Sequence, residues 1–265
     1  LFIVGKFQRD RSFLLSFLRL RFASSLYAIR ETLQRRLHRV EATLRQQLII
    51  EAEDTELGLS ALQELVLESD AEDDQIAVES MLKKRTTPDL EWEQARLKAM
   101  LASMSDLSET SSKMQVLLQT LDQRRDRRTG RIRQTVIFTR FYDTLKDIVA
   151  RLHQADPRML IGTYSGQGAE HFEPDSGQKI NLDREEVKER FLRGEIDVLV
   201  CTDAAAEGLN LQTADLLVNF DLGWNPMKVE QRIGRIDRIG QKHKDIYVQN
   251  LCYLGSAGKS SMVVF

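Results

Sequence analysis

The chain has 265 residues, of which 42% are hydrophobic and 29% charged, so it is predicted to be a soluble globular protein of one large or two small domains. Its formal net charge of −2 gives no overall attraction for nucleic acid, so any basic patch must be local. No apolar run approaches the ~20 residues of a membrane span. The cysteines, Cys201 and Cys252, lie in apolar runs and indicate reduced thiols of a cytoplasmic protein.

The first region, residues 1–125, is predicted to be helical. Apolar residues recur at steps of three and four over residues 26–48 and again over 92–121, with almost no glycine or proline between residues 10 and 122. The acidic stretch at 68–74 is predicted to be a solvated loop. The simplest arrangement is a set of antiparallel helices that share an apolar seam, and a coiled-coil dimer is the alternative.

A strongly basic run, RRDRRTGRIR, follows at residues 124–133. One interpretation is a nucleic-acid contact. The other is a solvated linker between the helical region and the remainder of the chain. The linker is favoured because no aromatic residue is interleaved for base stacking.

From residue 134 onward, short apolar strands alternate with amphipathic helices. The predicted strands are 135–139, 159–164, 196–202, 215–220 and 246–251. Asp183 is placed to cap one helix and Pro226 to open another. The alternation predicts an α/β domain over 126–255, with a parallel sheet covered by helices on both faces, and leaves 256–265 as an uncertain tail. Ligands of such sheets bind beyond the carboxyl ends of the strands.

Residues 201–211, CTDAAAEGLNL, follow one of these strands. A hydroxyl and free backbone amides at a turn from strand to helix form a good anion site. The alternative is an ordinary turn in which Thr202 and Asp203 cap the next helix. The arginine-rich stretch that comes later in the chain favours the anion site.

That stretch is QRIGRIDRIGQ, at residues 231–241, shortly after WNP at 224–226. It carries three arginines at steps of three: Arg232, Arg235 and Arg238. On a helix this spacing places the guanidinium groups on neighbouring faces of successive turns, where planar forks suit phosphate oxygens. A solvated basic helix is the alternative. Gly234 and Gly240 argue against this alternative, because glycines inside a surface helix are unfavourable unless the helix lies close to another backbone or to a ligand.

In order along the chain, these motifs resemble those of the Swi/Snf-like ATPases of helicase superfamily 2. Residues 136–141, VIFTRF, resemble motif IV; 201–211 resemble motif V; and 231–241 resemble motif VI. The WNP sequence and the RIGQ ending narrow the resemblance to the Swi/Snf-like ATPases, and residues 230–241, EQRIGRIDRIGQ, look most like their bacterial RapA/HepA-like branch. The resemblance implies a RecA-like C-terminal helicase lobe preceded by an α-helical insert, in which residues 167–182 form an exposed insertion.

The resemblance also implies an ATP-hydrolysing enzyme whose arginine fingers are Arg235 and Arg238. Residues near the nucleotide would be Gly208, Asn210 and Gln231, together with the two arginines. ATP and Mg²⁺ would be held mainly by an N-terminal lobe, because this chain shows neither a phosphate loop nor an acidic magnesium pair. We therefore expect the chain alone to be inactive.

The nucleic-acid contacts that the resemblance implies are Thr139, Arg140, Ser165, Gly166, Thr202 and Asp203. The expected partners are double-stranded DNA, with RNA as the alternative, the N-terminal lobe of the same protein, and RNA polymerase or a defence system. No membrane partner is expected. Two other functions stay open: a non-catalytic nucleic-acid-binding or regulatory module, and an RNA-directed helicase lobe.

Overall fold

The computed structural model describes residues 19, 21–52, 86–104, 110–203, 209–222, 226–256 and 259–264. Contacts divide the chain into two compact units. The helical unit is Ile29–Glu109, and the sheet unit is Leu1–Ala28 together with Thr110–Phe265. This division differs from a boundary at residue 125, because the helix over 112–123 packs in the core of the sheet unit.

The elements are as follows. The helices are α1 (Leu26–Ala52), α2 (Thr87–Ser103), α3 (Ser112–Gln123), α4 (Tyr142–Ala155), α5 (Arg184–Leu192) and α6 (Pro226–Ile236). The strands are β1 (Thr135–Thr139), β2 (Ile161–Ser165), β3 (Gly168–Phe172), β4 (Lys179–Leu182), β5 (Val198–Thr202), β6 (Leu216–Asn219), β7 (Tyr247–Ser256) and β8 (Lys259–Val264). None of the described helices is both long enough and apolar enough to cross a membrane.

In the helical unit, α1 and α2 lie side by side. Arg36 contacts Glu93 at 2.7 Å, and further along both helices Glu41 contacts Lys98 at 3.0 Å. The Glu41 carboxylate also accepts from the side-chain amide of Gln94 at 3.1 Å, so side-chain contacts join the two helices over more than one turn. The predicted acidic loop lies outside the described residues.

The sheet unit contains an eight-stranded sheet in the order β4-β3-β2-β5-β1-β6-β7-β8. The five central strands of the sheet are parallel to one another: β2, β5, β1, β6 and β7. The strands β3, β4 and β8 pair antiparallel at the two edges. The parallel sheet is therefore confirmed, while the segment predicted as an insertion forms a β-hairpin that extends the sheet.

Helices cover both faces of the sheet, as predicted. Along β1, Ile137 points to one apolar cluster and Val136 and Phe138 to the other, so the strand is buried on both sides. Helices α3 and α4 pack on the first face, whereas α5 and the end of α6 pack on the second. Two local signals are also confirmed: Asp183 caps α5, and Pro226 opens α6. Gly194 follows α5 with φ +78°, as glycines after helices often do.

The basic run at 124–133 is used inside the sheet unit. Arg124 and Arg133 both contact Asp215, which is 1% exposed, and Arg131 contacts Asp197 at 2.5 Å. Both aspartates precede strands of the parallel sheet, so these ion pairs lie at its amino-terminal edge. Burial raises the pKa of Asp197, and the nearby Arg131 opposes this rise. The arginines therefore have a structural role that neither interpretation of the run included.

We predict that Asp215→Asn lowers the free energy of unfolding by about 3–5 kcal/mol, because it leaves the largely buried Arg124 guanidinium without a counter-charge. Urea unfolding followed by circular dichroism would measure it. The matched control is Asp175→Asn, which removes an exposed ion pair with Arg158 at a position with φ +63° that asparagine tolerates. The control should change stability by less than about 0.5 kcal/mol. Equal losses in the two variants would contradict this role for Asp215.

Candidate functional site

Several predicted site residues lie in one row at the carboxyl ends of neighbouring parallel strands. Thr139 ends β1 and is paired in register with Thr202, which ends β5. Ser165 ends β2, the strand on the other side of β5. Arg140, Gly166 and Asp203 are the residues that follow these three strand ends. The fold thus brings together all six residues predicted to contact nucleic acid.

The residues of this row differ in how accessible they are. Thr139 is fully buried, and its hydroxyl donates to an Asp221 carboxylate oxygen at 2.6 Å. Thr202 is 6% exposed. Arg140 is exposed, with its guanidinium 5.5 Å from the centroid of the Phe141 ring. Of these side chains, Arg140 is the one placed to meet a ligand from solvent.

The turn after β2 is held by Arg184, which sequence reasoning did not single out. Its Nη2 donates to the carbonyl oxygens of Ser165 at 2.9 Å and Gly166 at 3.0 Å. The Ser165 hydroxyl itself donates to the carbonyl of Gly168 at 3.1 Å. A charged donor therefore fixes the backbone of this predicted contact. One indication of this role is available in the sequence, which is that Arg184 is the first residue of a helix capped by Asp183.

Arg232 is the anchor of helix α6. It is 4% exposed, and its guanidinium donates to Asp203 Oδ1 at 2.7 Å, Asn219 Oδ1 at 2.8 Å and the Asp221 carbonyl at 2.8 Å. It also lies 5.4 Å from the centroid of the Phe138 ring. The three arginines that look equivalent in sequence are therefore not equivalent. Asp203, predicted to contact nucleic acid, is the ion-pair partner of this anchor.

Arg238 lies beyond the helix. Helix α6 ends at Ile236, so the prediction of three arginines on one helix is correct only for the first two. The Arg238 guanidinium donates to Asn210 Oδ1, which brings together two residues predicted to lie near the nucleotide. Asn210 is a neutral partner, so the positive charge of Arg238 is not cancelled.

Arg235 occupies the last turn of α6. Its backbone carbonyl accepts from the Leu211 amide at 2.9 Å, and its side chain is half-buried. No described residue forms a hydrogen bond or an ion pair with the Arg235 guanidinium. Gln231 is exposed on the same helix. Gly208, the remaining residue predicted near the nucleotide, lies outside the described residues.

The two glycines of the stretch have different environments. Gly240 has φ +94°, a conformation that side chains with a Cβ rarely adopt. A Cβ on Gly234 would meet no described atom within 4 Å. The close approach expected at Gly234 therefore has no counterpart among the described residues, while Gly240 is explained by its backbone.

The described residues do not fit a resident metal site. Among them, no group of three or more His, Cys, Asp or Glu side chains could hold a metal ion. The two aspartates near α6 are already paired, Asp203 with Arg232 and Asp221 with Lys113. Cys201 is buried in β5, and burial raises the pKa of its thiol, so it is neutral and not a nucleophile. No residue of this chain is assigned to Mg²⁺.

Comparison with known proteins matches residues 112–240 to the helicase conserved C-terminal domain. The chain is 51% identical over 61 residues to the ATP-dependent helicase YqhH of Bacillus subtilis, which is 23% of this chain and 11% of YqhH. It is 54% identical over 59 residues to the RNA polymerase-associated protein RapA of Vibrio cholerae, which is 22% of this chain and 6% of RapA. The matched segments thus span only a small part of these relatives.

Among solved structures, the C-terminal part of the Fun30 ATPase domain is 19% identical, with a TM-score of 0.43 over 66% of this chain and 53% of that chain. That similarity is too low to carry an argument. The family match covers the residues that resemble motifs IV and V and all but the last residue of those that resemble motif VI. Residues 112–240 of this chain therefore match a helicase C-terminal domain, and the two relatives support the resemblance to the Swi/Snf-like ATPases of helicase superfamily 2.

Proposed function

We propose that this lobe forms one side of an ATP site, with Arg235 and Arg238 as arginine fingers that act on a nucleotide held by a phosphate-loop lobe. The natural protein that joins the two lobes, called here the two-lobe protein, would be an ATP-driven translocase on double-stranded DNA. One observation carries the proposal: α6 is anchored through Arg232, while the charge of Arg235, one turn later, has no partner among the described residues.

An arginine finger needs a fixed backbone and a free charge. The three acceptors of Arg232 fix the backbone of α6, and residues three apart on a helix lie on neighbouring turns. The half-buried Arg235 guanidinium lacks a described counter-ion, so an anion that reaches it gains a charge-assisted bond. Arg238 keeps its charge because Asn210 is neutral. Such positioned charges stabilise the negative charge that develops on a transferred phosphoryl group.

We predict that Arg235→Ala or Arg238→Ala in the two-lobe protein lowers the rate of ATP hydrolysis by about 10³–10⁵-fold, because each removes a charge that acts in the transition state. ATP binding should persist, because the phosphate loop belongs to the other lobe. Steady-state hydrolysis and titration with a fluorescent ATP analogue would measure the two effects. The control is Arg158→Ala, which removes an exposed arginine before β2 and should leave hydrolysis unchanged. Wild-type turnover in both finger variants would exclude the role.

The row of strand ends supports a path for a nucleic-acid backbone. The exposed guanidinium of Arg140 and the turn at Ser165 and Gly166, held by Arg184, flank the same edge of the sheet. Positive side chains and backbone groups of this kind contact phosphates without reading sequence. Changes in the distance between two such lobes during the ATPase cycle would move these contacts along one strand.

The similarity to RapA, named for its association with RNA polymerase, makes that polymerase a candidate partner.

We predict that Arg140→Ala weakens binding of the two-lobe protein to double-stranded DNA equally for unrelated sequences. Loss of one phosphate contact should reduce the slope of log affinity against log salt concentration by about 1. Fluorescence anisotropy at several salt concentrations would measure it, with Arg158→Ala as the control of equal charge change. An unchanged slope for Arg140→Ala would remove this residue from the path.

Two alternatives lead to different observations. An RNA-directed lobe would give hydrolysis that RNA stimulates more than double-stranded DNA does. A non-catalytic module would bind nucleic acid without any hydrolysis in the two-lobe protein. Arg235, whose side chain has no partner among the described residues, favours the ATPase, because a module that acts by binding alone does not require a charge fixed on an anchored helix end.

A further inference from the structure

The carboxylate of Asp221, which lies two residues after the end of β6, joins side chains from three distant parts of the sheet unit. It accepts from the hydroxyl of Thr139 at 2.6 Å and the hydroxyl of Ser24 at 2.7 Å, and it pairs with the Lys113 ammonium at 3.3 Å. All four residues are buried, with Asp221 itself 7% exposed. A charge at this depth is stable only with such partners, so the contacts are mutually dependent.

Two of these partners come from the segments that lead into and out of the helical unit. Ser24 lies two residues before the start of α1, and its hydroxyl also lies 2.6 Å from Thr144 Oγ1 on α4. Lys113 is in the first turn of α3, and its ammonium also donates to the Phe220 carbonyl at 2.9 Å. Both connections of the helical unit therefore meet at one carboxylate of the sheet unit.

Asp221 also contacts the anchor of the arginine helix. Its backbone carbonyl accepts from Arg232 Nη1 at 2.8 Å, while its carboxylate holds Thr139 at the end of β1. Asp221 thus links this strand end, which is followed by Arg140, directly to the helix that carries Arg235.

We propose that Asp221 is a positioning residue. It holds the end of β1 and the start of α6 in the arrangement that presents Arg140 and Arg235, and it ties both connections of the helical unit to that arrangement. The effect on hydrolysis rests on the proposed function, whereas the effect on the rigidity of the strand ends does not.

A purely structural role is the competing explanation, and strand β6 provides a control for it. Asp215 lies at the other end of the same strand, is 1% exposed and is also paired with basic side chains. Asp215→Asn and Asp221→Asn therefore each remove one buried, paired carboxylate charge with little change in shape. They differ in which edge of the sheet they affect.

In the two-lobe protein, corrected for the folded fraction, Asp221→Asn should lower kcat by about 10–100-fold, because a misplacement of about 1 Å costs that much. The KM for ATP should change by less than about threefold, since the phosphate loop belongs to the other lobe. Asp215→Asn should leave kcat within about threefold of the wild type. Equal kcat values in the two variants would overturn the positioning role.

Amide hydrogen exchange of the 265-residue chain tests the same claim without hydrolysis. Asp221→Asn should speed exchange over 135–140 and 226–236 by about tenfold more than Asp215→Asn does. Equal exchange overturns the proposal, even if the two-lobe protein hydrolyses no ATP and the proposed function itself fails. Should Asp221→Asn not fold, the double variant Lys113→Met/Asp221→Asn removes both buried charges. It should fold and show the same local increase, and normal exchange in it would likewise overturn the proposal.

Discussion

A guanidinium group cannot be buried without acceptors, and that requirement at Arg232 organises the carboxyl edge of the sheet. Its acceptors come from the ends of two strands and the segment after one of them: Asp203, Asn219 and the Asp221 carbonyl. Asp203 is separated in sequence from the other two, so α6 docks in this way only when β5 and β6 flank β1 in their observed order. The presentation of Arg235 follows from this docking, because one turn of a fixed helix determines where the next turn points.

The two edges of the parallel sheet differ in how many of their arginines are neutralised by carboxylates, although Arg232 at the carboxyl edge is also paired, with Asp203. At the amino-terminal edge, the aspartates that precede β5 and β6 neutralise arginines of the basic run at 124–133. At the carboxyl edge, Arg238 meets a neutral amide, Arg140 is exposed, and Arg235 has no partner in the described part of the chain. An arginine is therefore available to bind an anion only where the fold places no carboxylate beside its guanidinium group. Whether a carboxylate lies there depends on the end of the sheet at which the arginine is located.

The strands that are buried on both faces were predictable because each is a continuous apolar run. β1 was predicted at its observed bounds, and the other parallel strands to within a few residues, apart from the carboxyl end of β7, which runs on to Ser256. The hairpin of β3 and β4 was not predictable from periodicity, because its strands are partly exposed and polar. The row of strand-end residues was predictable from the fold class. The separate role of Arg232 was not, because regular spacing makes three arginines look alike until tertiary contacts distinguish them.

The central claim is that this lobe holds half of an ATP site and that its arginines act across a cleft. ATP hydrolysis in the presence of double-stranded DNA tests it directly when measured for this chain alone, for the phosphate-loop lobe alone, and for the two-lobe protein. The account predicts hydrolysis only in the two-lobe protein. Hydrolysis by this chain alone would contradict it, as would a folded two-lobe protein that binds ATP and DNA but hydrolyses no ATP.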